Sequence, residues 1–180
     1  MSAITKQLAL EYLSYEHETG WLTWVKKASD KTVVGSRAGW QRSPNGYRQV
    51  GFMGETIYEH RLVWLIVTGA FPEFQIDHRN GIKDDNRFAN LRAASSTQNL
   101  ANIGAKRDNT SGAKNVHWCN TRKRWIVKVK RSGRTHYVGA YVDYAVAVAA
   151  AAASRLQVHG DFASQLGYEG SGDSEGVRRV

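Results

Sequence analysis

Between Gln75 and Asn102 the chain gathers residue types that can do hydrolytic chemistry on a phosphate. A carboxylate and an imidazole stand side by side at Asp77-His78, and two amides follow at Asn90 and Asn99. A hard divalent ion such as magnesium takes oxygen ligands, often only one or two of them from protein, with water and phosphate completing the shell. Asp77 and Asn99 suit that role. His78, with an ordinary pKa of about 6.5, is a natural general base at neutral pH, and Asn90 is a candidate for holding its ring by hydrogen bonding. Cleaving a phosphodiester needs a cation on the phosphate oxygens and leaving group, a base for the water, and fixed geometry. The four residues alone do not decide the matter, because Asn and Asp are also common in loops as Asx turns.

The elements around these residues are legible from pattern. Phe74–His78 is a short strand, Arg79–Arg87 a polar loop rich in Asn, Asp and Gly, Leu91–Ala94 a return strand, and Ser95, Ser96 or Thr97 caps a helix that carries Asn99. Upstream, Thr5 caps an expected helix over 5–15, Trp21–Val25 is strand-like, and Tyr47–Phe52 with Thr56–Tyr58 form a hairpin around a glycine turn, after an Asn45-Gly46 turn. His60–Thr68 is apolar all round and so reads as a buried helix, stopped by Gly69. His60 and Arg61 at its start either cap it or face a phosphate backbone. Downstream, Val116–Trp118, Arg124–Lys130 and Thr135–Tyr141 form a three-stranded meander. An Ala-rich helix follows over 144–158, with Asp143 as cap and Gly160 as stop.

Charge divides the 180 residues unevenly. The net charge is +9. The segment from Lys106 to Ala140 holds ten Lys or Arg against the single acid Asp108, so it carries the whole excess and the rest of the chain sums to zero. One basic module beside a neutral body points to a polyanion partner docked on that module. The lone Cys119 excludes an internal disulfide and any Cys-based zinc knuckle. No signal peptide is visible, and the Leu62–Val67 run is far short of the roughly 20 residues that span a bilayer. The expectation is a soluble protein of the bacterial or phage-infected host cytoplasm, without a membrane partner.

With those residues in view, Asp77-His78, Asn90 and Asn99 resemble the signature of HNH endonucleases, in the variant with Asn at the last position. His60–Trp64 (HRLVW), Asp85–Arg87 (DNR), Asn90–Arg92 (NLR) and Glu18–Trp24 (ETGWLTW) are similar to phage and homing-type members, so the likeness runs from about Tyr15 to Asn102. It implies an α+β chain with a ββα-metal module. His78 is then the general base, Asn90 its orienting residue, and Asp77 and Asn99 the ligands of Mg2+ or Mn2+. With no Cys pairs and Asn in the final position, zinc is disfavoured.

A second resemblance covers the basic segment. Ser111–Trp118 (SGAKNVHW), Arg124–Val129 (RWIVKV), Tyr137-Val138-Gly139 and His159-Gly160 are similar to the plant ethylene-response-factor, or APETALA-two, type of DNA-binding domain, whose three-stranded sheet lies in the major groove. That implies double-stranded DNA as partner, with His117, Arg122, Arg124, Lys128, Lys130 and Tyr137 as reading side chains. Trp118 and Trp125 either meet sugars or support the sheet. His60, Arg61 and Arg87 are further DNA-binding candidates. The expected division is a nuclease domain over 1–105, a linker over 106–112, a DNA-binding domain over 113–166 and a disordered tail over 167–180. The competing readings are a catalytically inert DNA-binding regulator and an RNA-directed nuclease. Oligomeric state and target site are open.

Overall fold

The structure, a computed structural model, describes residues 4–41, 46–105, 108–131 and 133–163. Asn45 of the expected turn, Lys106 and Arg107 of the expected linker, Ser132 and the expected tail lie outside these residues. The chain divides into two compact units, Met1–Asn99 and Leu100–Val180. The elements form a mixed set of helices and small antiparallel sheets, compatible with an α+β class.

The first unit opens with α1 (Lys6–Tyr12), whose N-cap Thr5 accepts from the Leu8 amide at 3.2 Å. The helix ends three residues earlier than its pattern predicts. Leu13–Tyr15 turns into β1, pairing antiparallel with β2 (Leu22–Trp24), and the strand pairing puts Leu13, Leu22 and Trp24 in the core. β3 (Gln49–Phe52) and β4 (Glu55–Tyr58) form the expected hairpin, turned by Met53 and Gly54 at positive φ. α2 (Glu59–Thr68) follows directly and ends at Gly69 with φ 95°. It is not apolar all round. Leu62, Val63, Leu65 and Ile66 are buried, whereas Trp64 lies half-buried with its ring against Phe74 and Phe88. Val50, Phe52 and Ile76 complete the same core.

β5 (Gln75–His78) and β6 (Leu91–Ala94) pair antiparallel, with Asp77 opposite Arg92 and His78 opposite Leu91. A short 3-10 turn, Phe88–Asn90, leads into β6. α3 (Ser96–Asn102) opens on a reciprocal cap: Ser95 Oγ accepts from the Gln98 amide while Gln98 Oε1 accepts from the Ser95 amide.

The second unit is a meander of β7 (Val116–Cys119), β8 (Arg124–Arg131) and β9 (Arg134–Tyr141) under α4 (Tyr144–His159). Asp143 caps α4, its Oδ1 accepting from the Val146 amide at 2.9 Å. Alanine on the buried side of α4 lets the helix lie close on the sheet, and Ala147 and Ala151 meet Ala113, Val116 and Val127. The 108–112 stretch is tied down. Asn109 Oδ1 accepts from the Ser111 amide at 2.8 Å, and the Tyr144 hydroxyl donates to the Ser111 carbonyl at 2.6 Å. No helix among the described residues is long and apolar enough to cross a membrane.

Candidate active site

His78 ends β5 and is almost fully buried. Its Nε2 lies 3.1 Å from Oδ1 of Asn86. Asn86 is itself fixed from behind, its Nδ2 donating to Oε2 of Glu59 at 2.7 Å. Glu59, the first residue of α2, has no solvent exposure. Its carboxyl also accepts from the Leu22 amide at 3.2 Å and from Arg37 Nη2 at 3.1 Å, with Arg48 Nε 3.6 Å away. Arg37 continues to Asp84, donating at 3.0 and 3.2 Å. Burial lifts the Glu59 carboxyl above its ordinary value, and the neighbouring guanidiniums pull it back down.

The His78 ring faces an aromatic cluster. His60 meets it edge-on with centroids 5.3 Å apart, Tyr47 lies at 5.7 Å, and Tyr58 stacks on His60 at 5.4 Å. Burial lowers the His78 pKa, against the Asn86 bond and Asp77, which raise it. Burial pushes His60 further, down to about 3, with the His78 ring adding to it. Burial thus favours the neutral form of both rings. Tyr47, Tyr58, His60, Arg61 and Asn99 line one groove of about 960 Å3.

Asn90 does different work from that expected of it. Its Oδ1 accepts from the Asn80 amide at 3.0 Å, and its Nδ2 donates to Asn80 Oδ1 at 3.0 Å and to the Asp85 carbonyl at 2.8 Å. Those bonds close the loop between β5 and β6, and the hydrogen bond to the imidazole belongs to Asn86. The sequence singles out Asn86 only as the middle of Asp85–Arg87. A signal is present: an amide eight residues beyond the histidine, inside the polar loop, can fold back on it.

Asp77 is buried, and Arg92 opposite it donates from Nε to Oδ2 at 2.7 Å. Asn99, on α3, donates from Nδ2 to Gln75 Oε1 at 2.8 Å. Gln75 and Asp77 share one face of β5, since side chains alternate along a strand. The Asn99 amide is thus anchored on the strand face that carries the Asp77 carboxylate. Asp77 and Asn99 each carry a hard oxygen of the type a divalent ion takes. Among the described residues, no three His, Cys, Asp or Glu side chains come together as a protein cage.

The remaining candidates are dispersed. His60 is 8% exposed, packs in the aromatic cluster and also lines the groove. Arg61 donates to the Pro72 carbonyl at 2.8 Å, and Arg87 is paired with Asp85 through its Nε at 2.7 Å. On the sheet, the register sends His117, Arg124, Lys128, Lys130 and Tyr137 to the side away from α4. A bulge between Val127 and Lys128 keeps this so: the extra residue Val138 lets both Tyr137 and Ala140 face outward. Trp118 and Trp125 point the other way, edge to face at 5.0 Å, and Trp125 packs on Tyr144 at 4.8 Å. Trp125 supports the sheet, whereas Trp118 is 41% exposed. Arg122 sits exposed in the turn between β7 and β8.

A protein-family model described as HNH endonuclease matches residues 58–101, which hold α2, β5, the loop, β6 and most of α3. Over 105 residues the chain is 32% identical to Protein 3.8 of Escherichia phage T7, an alignment spanning 58% of this chain and 86% of that protein. No solved structure matches it. The chain therefore belongs to the family of phage T7 Protein 3.8, and its residues 58–101 form an HNH endonuclease domain.

Proposed function

We propose that the protein is a divalent-metal-dependent DNA endonuclease of phage or homing type, guided to DNA by the basic sheet of its second unit. The observation that carries the reading is His78: a buried imidazole at the end of β5, fixed by Asn86, next to Asp77 in the chain and within the HNH-matched span. A neutral imidazole at pH 7 can take a proton from water as it attacks phosphorus. Asp77 and Asn99 would hold Mg2+ or Mn2+, which would supply positive charge to the phosphate and the leaving group. Asn90 fixes the loop so that Asn86 and His78 keep their relative positions.

The second unit acts as an APETALA-two-like DNA-binding domain. Its outward face carries Arg124, Lys128, Lys130, His117 and Tyr137, with Arg122 at its edge. Arginine suits guanine edges and lysine suits phosphate. The linker reading for 106–112 and the module's extent to 166 belong to this proposal. A supercoiled plasmid incubated with magnesium, manganese or EDTA tests it. Conversion to open-circle or linear DNA with either ion and none with EDTA is the expected result. Tight binding without cleavage would favour an inert DNA-binding regulator.

A further inference from the structure

We infer that Asn86, held by Glu59, is the residue that positions the His78 base, and that it selects Nδ1 as the proton-accepting nitrogen. The chain of bonds starts at Glu59. Three N–H donors converge on its carboxyl, from Leu22, Arg37 and Asn86, with the Arg48 guanidinium alongside. A group surrounded by donors is used as an acceptor on both oxygens, so the Asn86 side chain must turn its NH2 toward it. That leaves Asn86 Oδ1 facing His78 Nε2 at 3.1 Å. Two acceptors cannot share a hydrogen bond, so Nε2 carries the proton and the lone pair of the neutral ring is on Nδ1. The orientation is thus set by a relay running from α2 through the loop to β5.

Two features suit this relay to its task. Every link is buried: Glu59 and Asn86 are 0% and 1% exposed and His78 is 3% exposed, so water does not compete for the bonds. The relay is also braced from outside, because Arg37 and Arg48 join Glu59 to Asp84 on the same loop that bears Asn86. Asn90 closes that loop at its other end. Positioning partners of this kind typically change activity by about tenfold to a hundredfold when removed.

The inference rests on the nuclease reading for its purpose, and its test is independent of activity. The full-length protein, labelled with 15N and free of metal, is measured by long-range proton–nitrogen correlation at the imidazoles, with His78→Gln identifying the His78 signals. The expected spectrum is a single Nε2–H tautomer for His78. In Asn86→Ala the signal shifts toward a mixture of tautomers, and in Glu59→Gln, where the Asn86 amide is free to turn over, it shifts the same way. In plasmid cleavage, Asn86→Ala lowers kcat about tenfold to a hundredfold and leaves KM nearly unchanged. An Nδ1–H tautomer in the wild-type protein overturns the inference, and does so even if neither variant folds. A folded Asn86→Ala that keeps the pure Nε2–H form overturns it as well. A wild type that fails to cleave DNA yet shows the Nε2–H form removes the nuclease reading and supports the orientation.

Discussion

Gly20 and Arg87 meet backbone to backbone: a Cβ on Gly20 would stand 2.2 Å from the Arg87 amide nitrogen and 2.5 Å from the Asn86 carbonyl carbon. The β1–β2 turn thus presses directly on the segment that presents Asn86 to His78. Tyr15 supports it there too, its hydroxyl accepting from the Phe88 amide at 2.8 Å. Only a residue without a Cβ allows that approach, and Gly20 also sits at φ 77°. Gly20→Ala should therefore cost about 2 kcal/mol or more in urea unfolding and reduce cleavage. Gly54, at φ 79° with open space around it, is the control. Gly54→Ala carries the conformational cost alone, about 1 kcal/mol, and cleaves normally. Equal losses at both positions would contradict the buttress.

Acid should unfold the protein partly through His60. Its folded pKa of about 3 lies below the ordinary 6.5. The unfolded chain therefore binds a proton that the folded one refuses, and stability falls as pH drops from 6.5 toward 3. The slope from this one group approaches about 1.4 kcal/mol per pH unit. Glu59, raised by burial, works in the opposite sense. In chemical unfolding at stepped pH, His60→Phe should lose most of its stability difference between pH 6 and 4 relative to wild type. Parallel curves for the two proteins would sink the assignment.

The Asp77–Arg92 pair is buried on both sides, with side-chain exposures of 7% and 8%. Arg92→Leu leaves a buried carboxylate without its guanidinium and should cost about 3–5 kcal/mol. Magnesium bound at Asp77 would replace that charge. The ion should therefore raise the melting temperature of Arg92→Leu more than that of wild type, as differential scanning fluorimetry would register. No magnesium effect on either protein would remove Asp77 from the ion site.

Lys128 and Lys130 face away from α4, whereas Trp125 packs on Tyr144 beneath the sheet. Replacing both lysines with Ala should lower the slope of log K against log salt by about 1 for each phosphate that is no longer neutralised, with little change in fold stability. Trp125→Ala should do the reverse, destabilising the fold by about 3 kcal/mol or more. A lysine double variant with an unchanged salt slope would move DNA binding off this face.

Local pattern makes most of the elements legible. The β3–β4 hairpin, β6, α3 with its Ser95 cap and the β7–β9 meander follow turn residues and alternation that need no tertiary information. The end of α1 departs from its pattern because Leu13 and Tyr15 fit either period, and pairing with β2 decides for a strand. The site is legible as residue types but only partly as hydrogen-bond partners. Asp77 and His78 end β5 as the pattern predicts, and Asn99 lies on the first turns of α3 with its amide on Gln75. The place of Asn86 in the polar loop is a local signal, but its choice over Asn90 depends on Glu59, 27 residues upstream, and on Gly20, 66 residues upstream. Long-range packing of that kind has no local signature. The bulge at Val138 decides which face Tyr137 joins, and Gly139 beside it is its one local sign.

The central claim is that His78 is the base of a metal-dependent DNA cleavage. The most direct measurement compares wild type with His78→Ala on supercoiled plasmid in magnesium, alongside DNA affinity by gel shift. The expected result is that the variant loses at least about a hundredfold in cleavage rate while its affinity stays within about twofold of wild type. Cleavage that survives in His78→Ala would contradict the claim.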